Sequence, residues 1–259
     1  MSRLREKLAS GGVASGIGLP FMTLQLVEML GRIGFDWALI DGEHGATNPD
    51  DMERAIIAAD LTGMSAMVRP AANRDELILS ALDRGAAGVQ VPHISTAQAA
   101  QGVVRAVKYE PLGNRGLAGS MRAANYGIDF DVRHYIERAN RETIVCVQIE
   151  DAEGLANVNA IAAVPGVDIV FIGPMDLSQS LGYPGELDRP DFRTKVEDAI
   201  AAIRAAEKIA GTSGSIPWVQ YAVEHGAQYV YTGVNNLLVG AGREFIGSLE
   251  SVKSQAKNG

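Results

Sequence analysis

Between Ala14 and Val252 the chain alternates short, unbroken apolar runs with longer stretches of helical period. The runs fall at Ala14–Leu19, Trp37–Ile40, Ser65–Val68, Gly88–Val91, Thr143–Ile149, Val167–Ile172, Ile209–Thr212 and Tyr229–Tyr231. A run of this length, bounded by turn residues, reads as a strand buried on both faces, the kind that parallel sheets use. The stretches between repeat their apolar residues at helical spacing, as in Leu24, Val27 and Leu30, or Phe192, Val196, Ile200 and Ile203. About eight strand–helix units in about 250 residues is the arithmetic of a (β/α)8 TIM barrel. A doubly wound sheet is the alternative, but the first strand–helix turn lacks a G-x-G-x-x-G fingerprint. No proline- or serine-rich linker divides the chain, so residues 1–259 read as a single α/β domain.

Local signals support the alternation. Asn48 can cap a helix that opens with Pro49, Asp50 and Asp51. Ser95 with Gln98 spells a capping box. Lys108 to Gly127, rich in glycine and without a clear period, breaks the rhythm, and loops of that length in a compact domain are usually functional or disordered.

Composition excludes several functions. The formal net charge is −8, with no block of five like charges, which argues against nucleic acid or an anionic membrane surface as partner. One cysteine, Cys146, can form neither an internal disulfide nor a cysteine zinc cluster. No apolar stretch reaches the ~18 residues of a spanning helix, and the amino terminus lacks a signal peptide's apolar core. A soluble, cytoplasmic protein is expected.

In a barrel, chemistry sits at the carboxyl ends of the strands. There the sequence places Asp41, Glu43 and His44 after the second strand, Arg69 after the third and His93 after the fourth. Gln148 and Glu150 follow on the fifth, Asp176 after the sixth, Thr212 and Ser213 on the seventh, and Asn235 after the eighth. No lysine stands at a strand end, which disfavours Schiff-base chemistry; Lys108 alone is left open by position. No G-x-S-x-G elbow occurs either.

Glu150 and Asp176 are oxygen donors suited to a hard divalent ion, or else helix caps. Arg69 suits a carboxylate or enolate clamp, or a structural ion pair. His44, three residues from Asp41, can form a carboxylate–imidazole pair for general-base work. His93 reads as a structural or supporting histidine and Glu43 as a positioning group.

The segments FDWALIDGEHG, MVRP, GVQVPHI, YEPLGNRG, VQIE and FIGPMDLS occur in the order and spacing of the HpcH/HpaI aldolase family. The resemblance runs from about Gly16 to the last helix. It is strongest to the metal-dependent (class II) pyruvate aldolases, the group of 4-hydroxy-2-oxoheptanedioate and 2-dehydro-3-deoxyglucarate aldolases. It implies reversible cleavage of a 4-hydroxy-2-keto acid to pyruvate, or a related 2-keto acid, and an aldehyde through a metal-stabilised enolate. Glu150 and Asp176 would hold Mg²⁺, Mn²⁺ or Co²⁺. Arg69 would bind the keto or enolate oxygen, and Gln148, Gly173, Pro174 and Met175 would seat the pyruvate unit. His44 would relay the proton, with Asp41 and Asp83 behind it. A last helix exchanged between subunits of a homohexamer, a trimer of dimers, is implied as well.

Rival readings are a citryl- or malyl-CoA-type lyase and a non-catalytic 2-keto-acid binding protein. The chain departs from the family in its first strand, where Gly16-Ile17-Gly18 replaces a G-x-W pattern, and in the small polar segment Gly211–Ser215. Both departures would line the aldehyde side.

Overall fold

A computed structural model describes residues 2–257. Eight parallel strands close on themselves in sequence order: β1 (Ala14–Leu19), β2 (Trp37–Asp41), β3 (Ser65–Arg69), β4 (Gly88–Val91), β5 (Ile144–Ile149), β6 (Ile169–Ile172), β7 (Ile209–Ser213) and β8 (Tyr229–Gly233). Around them run α1 (Arg3–Ala9), α2 (Leu24–Ile33), α3 (Pro49–Asp60), α4 (Asp75–Asp83), α5 (Ala97–Val107) and α6 (Val132–Glu142). The ring continues with α7 (Ala152–Ala156), α8 (Val158–Ala162), α9 (Pro174–Ser180), α10 (Pro190–Ala205), α11 (Ile216–Glu224) and α12 (Val234–Lys257). The fold is a (β/α)8 TIM barrel.

Period-two alternation divides every strand between two cores. Outward residues such as Ile17, Ile40, Val68, Val91, Val147 and Val170 join the apolar faces of the helices in one large cluster. Inward residues form a second cluster that fills the barrel: Trp37, Leu39, Met67, Cys146, Phe171 and Tyr229, with Leu4 and Leu8 of α1 closing its amino end. Trp37 and Tyr229 stack at 3.8 Å between ring centroids, and a Cβ on Gly16 would collide with the Trp37 indole. The glycine of β1 is what lets so wide a ring lie inside the barrel.

Several local expectations shift. Thr96, not Ser95, caps α5 by accepting from the Ala99 N–H, and Ser95 Oγ donates instead to Asp151 Oδ2 at 2.6 Å. Strand β6 begins at Ile169, just after Asp168, whose carboxylate accepts from the Val145 N–H and the Arg5 guanidinium. Helices α1, α9 and α11 are short pieces whose weak periodicity gives no helical signal in the sequence. The Lys108–Gly127 segment holds a 3-10 turn at Arg122–Gly127.

Candidate active site

The topmost inward positions of β2 to β5 carry polar groups where the layers below carry hydrocarbon. Asp41 and Arg69 are register partners on β2 and β3, so their side chains rise side by side into the mouth. Arg69 grips Asp41 with two parallel bonds, Nε to Oδ1 at 3.0 Å and Nη2 to Oδ2 at 2.7 Å. Its Nη1 faces Glu43 Oε2 at 3.2 Å. Burial alone would push the Asp41 carboxyl up, but the hydrogen bonds and charge of Arg69 and the N–H groups of Glu43 and His44 hold it below its usual range. Burial likewise works against the Arg69 charge, and Asp41 more than compensates. Asp41 takes two of the five guanidinium N–H donors, and three are not hydrogen-bonded among the described residues.

A second chain of bonds crosses β4 and β5. Gln90 Nε2 donates to Gln148 Oε1 at 2.6 Å, and Gln148 Nε2 in turn donates to Glu150 Oε2. The other oxygen of Glu150 accepts from the backbone N–H of His93 at 2.7 Å. The His93 ring then lies between two carboxylates, with Nδ1 3.0 Å from Glu150 Oε1 and Nε2 2.8 Å from Glu43 Oε1. To reach that place His93 adopts φ 57°, the left-handed region that a residue with a Cβ enters at some cost. Burial raises the Glu150 carboxyl above its ordinary value; Gln148 and His93 oppose that, and the charge of Glu43 adds to it. Glu43, His93 and Glu150 thus present ligand atoms within 4.8 Å of one another, and Glu43 Oε2 is buried without a hydrogen bond. Two carboxylates and an imidazole, held close and short of positive charge, form a donor set that suits a divalent cation.

The expected site residues divide into those the mouth brings together and those it does not. Arg69, Asp41, Gln148 and Glu150 meet there. Gly173 lies against it: a Cβ there would sit 3.0 Å from the Glu150 Cβ and 3.1 Å from Oε2, so a side chain at this position would crowd the carboxylate. Pro174 is buried and Met175 exposed on the first turn of α9. Asp176, on the same turn, is exposed and stands outside the Glu43–His93–Glu150 group.

The imidazole of His44 is 64% exposed, with its Nε2 3.9 Å from Glu43 Oε2. Asp41 accepts the backbone N–H of His44 rather than a ring proton, because Arg69 already occupies both of its oxygens. The carboxylate–imidazole pair expected from the sequence is therefore not formed in this arrangement.

Asp83 ends α4 and pairs with Arg115 Nη2 at 2.8 Å, at the amino end of the strands rather than at the mouth of this chain. Lys108 lies at that end too. Its Nζ donates to the carbonyls of Asn140 and Thr143 at 2.9 and 2.7 Å, and burial lowers its ammonium to about 8. It has no path to a substrate in the mouth.

Thr212 donates to the Ile172 carbonyl at 3.0 Å, and Asn235 lies in the first turn of α12. Gln90 and Tyr231 also belong to the mouth, and nothing in the sequence singles them out. Both sit inside apolar strands, where only the in–out alternation distinguishes an inward polar residue from an outward one.

A model of the HpcH/HpaI aldolase/citrate lyase family matches residues 15–240. A 2-keto-3-deoxy-L-rhamnonate aldolase of Klebsiella pneumoniae subsp. pneumoniae is 38% identical over 236 residues, covering 90% of this chain and 87% of the relative. A hydroxypyruvate/pyruvate aldolase of Pseudomonas aeruginosa is 37% identical over 254 residues, covering 95% of this chain and 92% of the relative. Among solved structures, an HpcH/HpaI aldolase/citrate lyase family protein from Burkholderia cenocepacia J2315 superposes with a TM-score of 0.90 at 30% identity, over 96% of this chain and 100% of that one.

Proposed function

The chain belongs to the HpcH/HpaI aldolase/citrate lyase family, and we propose that it is a class II aldolase, a carbon–carbon lyase that cleaves 4-hydroxy-2-keto acids to pyruvate, or a related 2-keto acid, and an aldehyde. The observation that carries this reading is the buried Glu150 carboxylate beside Glu43, with the Arg69 guanidinium across from it. Such a site takes an anionic keto acid only together with a cation.

Glu150 and Asp176 would hold Mg²⁺, Mn²⁺ or Co²⁺, with Glu43 and His93 adjoining Glu150. The ion, when bound, acts as a Lewis acid toward the keto acid. The other roles fall to side chains. Arg69, with N–H donors not engaged by Asp41, binds the keto oxygen and stabilises negative charge as it grows there. Asp41 orients Arg69 and keeps it charged. Gln148 and the backbone from Gly173 through Met175 seat the carboxylate end. Exposed at the rim, His44 takes the C4 hydroxyl proton in cleavage and returns it in addition. Asp83 would join this relay only from a neighbouring subunit, since its own chain holds it at the far end of the barrel.

Assembly is part of the proposal. Helix α12 packs its start, including Val234 and Leu237, on the barrel, but Leu238, Val239, Phe245, Ile246 and Leu249 are exposed along it. A contiguous apolar face of this kind marks an interface, and exchange of the helix within a homohexamer would cover it. None of the described helices is long and apolar enough to cross a membrane.

Retro-aldol assays that couple pyruvate release to a reporter, with Mg²⁺ or Mn²⁺ and a panel of small 4-hydroxy-2-keto acids, test the reading. Activity should vanish on exhaustive chelation and return with the ion. Full turnover after chelation would overturn the metal-dependent assignment.

A further inference from the structure

Gln90 carries an amide into a part of the barrel that could have been filled with hydrocarbon. The alternation of β4 sends Val89 and Val91 outward to the helices and Gln90 inward. On the flanking strands, the inward residues Met67 and Cys146 belong to the apolar interior, and Cys146 is the register partner of Gln90. Gln90 is fully buried, and its Oε1 has no hydrogen-bond partner among the described residues. An orphaned amide oxygen at such depth is a cost to stability that a methionine or leucine would not incur.

What the position gains in return is direction. An ionised Glu150 can only accept, so Gln148 must turn its amide nitrogen toward it, and Gln148 Nε2 does donate to Glu150 Oε2. The Gln148 oxygen then points the other way, where Gln90 Nε2 donates to it at 2.6 Å. Gln148 is itself buried, so without that donor its oxygen would be the orphan. Reversing the Gln148 amide would set oxygen against the Glu150 carboxylate and nitrogen against the Gln90 nitrogen, two repulsive contacts in place of two hydrogen bonds. A further hydrogen bond, to the Tyr231 hydroxyl, ties Gln90 to β8 as well. With Gln148 held this way, the second N–H of its Nε2 is available to an anion in the mouth.

We propose that Gln90 is a positioning residue of the keto-acid site: it holds the Gln148 amide with its nitrogen toward the two anions it serves, the Glu150 carboxylate and the carboxylate of the bound keto acid. Gln90 touches neither of them and acts only through Gln148. The proposal rests on the aldolase reading above. A hydrogen bond to the carboxylate end is made alike in the bound keto acid and in the transition state, so its loss raises KM and leaves kcat in place.

The test is a double-mutant cycle on pyruvate affinity, read by calorimetry on the Mn²⁺-loaded protein, with the retro-aldol KM and kcat of each variant alongside. Gln90→Met keeps the length of the side chain and removes the amide. It should weaken pyruvate binding and raise KM about tenfold, with kcat within twofold of wild type. The denaturant midpoint should not move, because one orphaned oxygen is exchanged for another. Gln148→Met should cost about as much affinity, and in that background Gln90→Met should change it by less than twofold, since the group it acts on is gone. A packing role would instead lower the midpoint and weaken both backgrounds alike. Equal losses in the two backgrounds, or wild-type affinity in Gln90→Met, overturn the inference and leave the aldolase reading in place. Gln90→Leu repeats the measurement if Gln90→Met folds poorly; if neither folds, Gln90 is structural and the inference falls. If the wild type neither binds pyruvate with Mn²⁺ nor releases it from a 4-hydroxy-2-keto acid, the aldolase reading itself fails and takes this one with it.

Discussion

Both ends of the barrel bury charge, and they do so in opposite ways. At the amino end the carboxylates of Asp36, Asp168 and Asp83 are each paired with a cation of the protein, although Asp36 Oδ1 is buried without a hydrogen bond. Asp36 accepts from Lys7 Nζ at 2.7 Å and from both the N–H and the hydroxyl of Ser15. Asp168 takes Arg5 at 3.0 Å and the Val145 N–H at 2.8 Å, and Asp83 takes Arg115. At the mouth, Asp41, Glu43 and Glu150 share one guanidinium and one imidazole. A buried ion pair is costly to assemble and contributes little net stability by itself. The amino end uses its pairs to fix where strands begin. The mouth leaves negative charge uncompensated, an arrangement with no stabilising purpose that makes sense for a site completed by a cation and an anionic substrate.

Substitution should therefore inactivate at one end and unfold at the other. The largest effect is expected from Glu150→Gln, which keeps shape and removes charge: retro-aldol activity should fall by at least about a thousandfold with the circular-dichroism spectrum unchanged. Arg69→Lys keeps the charge but loses the paired bonds to Asp41, and kcat/KM should drop by a few hundredfold, on the order of an oxyanion donor's worth. His44→Ala should slow turnover on the order of a hundredfold while Mn²⁺ affinity, read by calorimetry, stays within twofold of wild type. Unchanged turnover would remove His44 from the proton path.

Asp36→Asn, at the amino end, should leave kcat alone and cost about 2 kcal/mol in denaturant unfolding. A large loss of turnover there, with stability intact, would undo the contrast between the two ends.

A pH experiment resolves the contrast more finely. Burial pushes the Asp36 carboxyl up, yet Lys7 and Ser15 hold it below the ordinary range in the folded protein. With the folded value below the unfolded one, its stabilising contribution is complete above about pH 4 and drains away as the pH falls further. Unfolding free energies of wild type and Asp36→Asn should accordingly converge in acid and diverge toward neutrality. Curves that stay parallel would mean that the Asp36 charge does nothing for the fold.

Much of this was legible in the sequence, for reasons that differ by residue. The strands were visible because a barrel buries them on both faces, so Trp37–Ile40 or Ile144–Ile149 read as unbroken apolar runs. Asp41, Arg69 and Glu150 were visible because they interrupt those runs at the carboxyl end. His93 read as a supporting residue, and its place between Glu43 and Glu150 depends on a backbone angle that spacing does not encode. Tyr231 was hidden by its own usefulness to packing, since an aromatic residue in a strand looks like core. Asp83 illustrates the converse: family motifs brought it into the site, and the geometry of a single chain places it on Arg115 instead.

The indole of Trp37 has a use of its own. It is fully buried, donates Nε1–H to the Ala14 carbonyl at 3.3 Å, stacks on Tyr229 and touches Tyr231 edge-on. The sequence holds one other tryptophan, Trp218, on the outer ring in α11. The barrel thus carries an optical probe of its own directly under the reaction chamber. Selective excitation should give a blue-shifted emission component from an indole that water cannot reach, and replacing Trp218 by Phe would isolate it. Because Tyr231 links that indole to the rim, the arrival of an ion or a keto acid should be readable as a change in light output, with no label and no coupled enzyme.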